Sequence, residues 1–65
     1  MKTKESEEIF DRGINYFRAG FYSSALSEFY QVKKISPEYP NIDYIIEAAI
    51  KKNDEVAGQI SNFIE

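Results

Sequence analysis

Apolar and polar positions along this chain follow the period of an α-helix nearly from end to end. Ile9, Gly13 and Tyr16 recur at intervals of four and three, as do Ala25, Phe29 and Val32, and again Ile42, Ile46 and Ala49. Such spacing puts each trio on one face of a helix. Val56, Ala57, Ile60, Phe63 and Ile64 mark one face of a further short segment. Four helical segments are therefore expected, and the residues between them are punctuation. Thr3 or Ser6 caps the first, which runs to about Ala19. Gly20 ends it, because glycine accepts the left-handed backbone of a helix exit. The second spans about Tyr22 to Ile35, with Ser23 or Ser24 near its start. It stops before Ser36-Pro37, since the residue preceding proline is driven out of the helical region. Asn41 caps the third, with Asp43 in its first turn, and this helix is expected to end near Lys52 at a tight turn over Asn53-Asp54.

Composition narrows what such helices can do. Sixty-five residues make one domain, and a chain this short buries only about 60% of the surface its unfolded form exposes. It has neither cysteine nor histidine, so disulfide staples and Cys/His metal sites are excluded, and packing must hold the fold. Five Phe and five Tyr are the material for that packing. No run approaches the ~18 apolar residues that span a bilayer, and Met1 to Glu8 is charged where a signal peptide is apolar. A soluble, cytoplasmic protein without membrane insertion is expected. The net charge of −3 argues against a nucleic-acid binder, which needs clustered Lys and Arg. Lys33-Lys34 and Lys51-Lys52 instead each sit at the end of a helical segment, and Glu5, Glu7 and Glu8 open the first one, a placement that complements helix dipoles.

Ile9, Gly13, Tyr16, Ala25, Phe29, Val32 and Pro37 together stand at the spacing of one helix-turn-helix unit. The set resembles the tetratricopeptide repeat. One position departs: where that pattern has leucine before its glycine, this chain has Arg12. Shifting the sequence by 33 residues lays Ile42 on Ile9, Ile46 on Gly13, Ala49 on Tyr16, Asn53 on Gly20 and Gly58 on Ala25. The resemblance thus covers one good repeat, about residues 6–38, and a degenerate second repeat or cap over about 39–65. The expected fold is all-α, with antiparallel helix-turn-helix pairs and three to four helices in one domain, 1–65. Gly13 and Ala25 would let the first two helices approach. Tyr16, Phe29 and Val32 would fill the space around that contact, and Ile9 and Ile35 would close its end. Two units fall below the usual minimum of three for a stable array, so oligomerisation, neighbouring sequence or a bound partner is expected to contribute.

The resemblance implies a function class: binding another polypeptide in a groove lined by the first helix of each repeat. Phe10, Ile14 and Phe17 would face that groove, with Asp43, Glu47 and Ile50 as their counterparts in the second unit. Phe21 extends the row past the turn, and Arg18 borders it. Such a groove has an apolar floor and an acidic side, which suits an amphipathic helix. The Lys and Asn set with which some members of the family grip a C-terminal carboxylate is missing, because Phe10 and Ile14 occupy those slots. The alternative is that the same row packs on the third helix or is buried under the fourth.

Two further readings stand beside the groove. In one, Val56, Ile60, Phe63 and Ile64 close a homodimer; in the other, the chain is the structural end piece of a longer helical solenoid. Catalysis has little support: with no His or Cys, only carboxylates, Lys and Tyr remain. Glu7 with Asp11 and Asp43 with Glu47 are ordinary exposed pairs four apart on a helix. No phosphate loop, calcium loop or dinucleotide fingerprint occurs, and no cofactor is expected. Tyr22, Tyr30, Tyr39 and Tyr44 remain open between rim and core.

Overall fold

The computed structural model describes residues 3–64, with side chains described as far as Val56. Three helices account for nearly all of it: α1 (Lys4–Arg18), α2 (Tyr22–Ile35) and α3 (Ile42–Ile64), with no strand among the described residues.

Local chemistry sets each boundary. Thr3 is the N-cap of α1: its Oγ1 accepts from the Ser6 N–H at 3.1 Å, and Ser6 Oγ accepts from the Thr3 N–H at 2.9 Å. Thr3 and Ser6, the two candidates for the cap, thus act together as a capping box with serine at the third position. At the other end Gly20 takes φ +90°, and the Phe21 N–H donates to the Tyr16 carbonyl at 2.9 Å. Helix α2 starts without a side-chain cap; its N-cap residue is Phe21, and Ser23 and Ser24 lie inside the first turn. The link to α3 is a chain of short turns, with the Tyr39 N–H donating to the Ser36 carbonyl and the Ile42 N–H to the Tyr39 carbonyl. Asn41 then adopts φ +62°, a left-handed conformation that asparagine tolerates, while its carbonyl accepts the first helical bond, from Ile45.

The expected turn at Asn53-Asp54 is absent, because α3 continues through it as one helix of 23 residues. Asn and Asp cost a helix only about 0.7 kcal/mol each relative to Ala. Without a proline or a left-handed residue at that point, the uninterrupted apolar spacing carries the helix onward. The second unit is therefore one long helix, not a helix pair.

Helix α2 packs against both α1 and α3. The pairs Arg12–Glu28 and Phe17–Tyr22 show that α1 and α2 are antiparallel, since higher numbers on one meet lower numbers on the other. The core is Ile9, Ala25, Phe29, Val32, Ile42, Ile46 and Ala49. Of the side chains expected there, Tyr16 and Ile35 are corrected to the surface at 37% and 40% exposure. Tyr16 turns to meet the edge of the Phe21 ring, centroids 6.4 Å apart. Ile35 is the last residue of α2, where no further turn covers it.

Candidate functional site

The expected contact residues divide into two sets. Phe10, Ile14 and Phe17 are half-buried and pack against the core. The Phe10 ring lies 5.7 Å from that of Phe29 and 4.9 Å from that of Tyr39, and Phe17 meets Tyr22 edge-on at 5.1 Å. These side chains carry part of the packing and stay partly exposed. Arg18, Phe21, Asp43, Glu47 and Ile50 are exposed, Phe21 at 60%.

Helix α3 gathers some of these and separates others. Glu47 and Ile50 lie together in an open depression that Tyr44, Ala48, Lys51 and Asp54 also line. Tyr44 stands out from it at 74% exposure. Asp43 is engaged elsewhere: its Oδ1 accepts from Lys33 Nζ at 2.6 Å, which ties the start of α3 to the end of α2.

Compared with known proteins, the chain matches no family model, no curated protein and no solved structure. Its site must be argued from its own residues.

Tyr39 is one of the four tyrosines that the sequence left open, and its ring lies against Phe10 of α1. Burial raises its phenol above the ordinary tyrosine value, and the carboxylates of Glu7 and Asp11 raise it further. An aromatic pair, Phe10 and Tyr39, is thus bordered by negative charge on α1. Arg12, the departure from the repeat pattern, reaches across to α2: its Nε and Nη2 donate to the two carboxylate oxygens of Glu28 at 2.7 and 3.1 Å. That bond and charge raise the Arg12 value, and the bidentate geometry sets the facing registers of α1 and α2. A polar fork therefore spans the helix pair where the pattern has leucine. No spacing rule on one helix could have revealed it, because the two residues are sixteen apart in the chain.

Among the described residues no three Asp, Glu, Cys or His side chains are placed to hold a metal ion. No helix there is long and apolar enough to cross a membrane. What the surface offers is apolar area with carboxylates beside it.

Proposed function

We propose that this chain is a tetratricopeptide-like module that binds another polypeptide, with Phe10, Ile14, Phe17 and Phe21 as the apolar contact and Asp43, Glu47 and Ile50 beside it. The observation that carries the reading is the half-exposed row on α1. Phe10, Ile14 and Phe17 touch the core and stay partly exposed, and no fourth helix covers them among the described residues. Apolar strips of this kind mark contact surfaces. The supporting detail is the close helix pair, with Gly13 and Ala25 at the positions where the repeat pattern wants small residues.

The charge beside the strip selects the partner chemistry. Glu7 and Asp11 flank Tyr39, and Glu47 and Asp54 line the depression on α3. A helix with one apolar face and Lys or Arg at its edges complements both features. The test is titration with a synthetic amphipathic helix of Leu and Lys, followed by the chain's tyrosine fluorescence. Saturable binding that weakens with salt is expected in the parent and in Tyr30→Ser, which alters an exposed ring on α2. It should be lost in Phe10→Ser/Phe17→Ser with most helicity kept. Equal binding by the double variant removes the reading. Collapse of its circular dichroism would show instead that these rings act only as core.

A further inference from the structure

Charge is not spread evenly along α1. Glu5, Glu7, Glu8 and Asp11 crowd its N-terminal part against one lysine, Lys4, and all five are exposed. From Arg12 to Ser27 the chain has no acidic residue, although it carries eleven in total. The charges in that stretch are Arg12 and Arg18. Arg12 is matched by the Glu28 carboxylate. Arg18, in the last turn, is exposed and makes no ion pair among the described residues.

Helical spacing sets these charges beside the apolar row. Glu7 stands three residues before Phe10, and Ile14 stands three after Asp11 and four before Arg18, so the two stripes run side by side. The fold agrees at the acidic end. The Tyr39 ring lies on Phe10 at 4.9 Å, and its phenol feels the carboxylates of Glu7 and Asp11. At the other end Arg18 directly follows Phe17, and Phe21 is 60% exposed just beyond it. At 1.5 Å per residue, Arg18 lies about 10 Å along the axis from Asp11 and about 16 Å from Glu7.

We propose that the partner of this row is a helix whose own charges are segregated, with Lys or Arg over Glu7 and Asp11 and with Asp or Glu beside Arg18, about two to three turns away. The assignment rests on the binding reading of the α1 row and adds the order of the partner's charges. A helix basic along its whole length would bring a cation against Arg18, and an acidic one would meet Glu7 and Asp11. Only a bipolar helix finds an opposite charge at both ends. Apolar contact is non-directional, so the charges are what fix which way the partner lies.

Two synthetic helices of identical composition test it, each with Leu on one face and equal numbers of Lys and Glu on the flanks. In one, Lys is gathered at one end and Glu at the other; in the second they alternate. Tyrosine fluorescence should show the segregated helix binding roughly two- to fivefold more tightly, the size of an exposed charge pair. The difference should fade in about 1 M salt. Arg18→Glu should erase the preference and favour an all-Lys helix instead, and Arg18→Gln, which adds no acid to the last turn of α1, should shrink it. Using the same peptides on every variant cancels their different intrinsic helicity, and circular dichroism checks that the variants stay folded. Equal affinity of the parent for both helices, or a preference that Arg18→Glu leaves intact, overturns the charge order. The row still stands as a binding surface in that case if Phe10→Ser/Phe17→Ser abolishes binding. Failure of the parent to bind either of these helices or the Leu and Lys helix removes the row as well.

Discussion

The Phe29 ring rests on the backbone of α1 at Gly13. A Cβ built on residue 13 would lie 2.6 Å from Phe29 Cε1 and 2.9 Å from its Cδ1, inside any real carbon–carbon contact. The glycine is therefore part of the ring's cavity wall, and the helix pair closes as far as it does because that wall has no side chain. Phe29 is fully buried as a result.

Gly13→Ala should destabilise the protein, although alanine is the better helix former by about 1 kcal/mol. The added methyl meets the side of an aromatic ring, together with Glu28 Cβ at 3.2 Å, and overpacking of this kind costs roughly 1–3 kcal/mol. Urea unfolding followed by circular dichroism should show a lower midpoint with an unchanged slope. A higher midpoint would mean that the ring shifts freely and the contact is loose.

Phe29→Ala should leave the chain largely unfolded at 25 °C. Removing a buried phenylalanine costs about 3–5 kcal/mol, comparable to the entire stability expected of a domain this small. A cooperative melt near that of the parent would show that the core does not depend on this ring.

Stability should fall at alkaline pH through Tyr39. Burial and then the charges of Glu7 and Asp11 raise its value in the folded state, so the neutral phenol is the form that folding favours. Its contribution is fully present below the ordinary tyrosine value of about 10 and is lost as pH rises through the higher folded value. Tyr39→Phe should flatten this part of the stability curve, measured by thermal melts between neutral and strongly alkaline pH. An identical alkaline decline in the variant would place the sensitivity in other groups.

Much of the fold was readable along the chain, and the reason differs by element. The core positions Ile9, Gly13, Ala25, Phe29 and Val32 lie on the faces that helical spacing marks as apolar, and the exit at Gly20 follows from the left-handed backbone that glycine accepts. The candidate contact residues were readable as an apolar row, but not as two kinds of residue. Phe10 is drawn half inward because Tyr39, from a link whose course no periodicity reports, lies over its ring. The turn expected at Asn53-Asp54 was misread because Asn and Asp mark turns only when nothing favours continuing the helix. The expectations for Ala57, Gly58, Ile60, Phe63 and Ile64 concern side chains outside the described residues.

The sequence by itself determined which faces are apolar, where two of the helices begin and end, and that the described residues form helices, because these depend on spacing, caps and backbone freedom within one turn. Tertiary structure decided the rest. It selected Glu28 as the partner of Arg12 and Lys33 as the partner of Asp43, turned Tyr16 and Ile35 outward, and set Tyr39 over the Phe10 ring. Each of these depends on which helix lies opposite and how far it reaches, a distance in space that residues far apart in the chain do not encode locally.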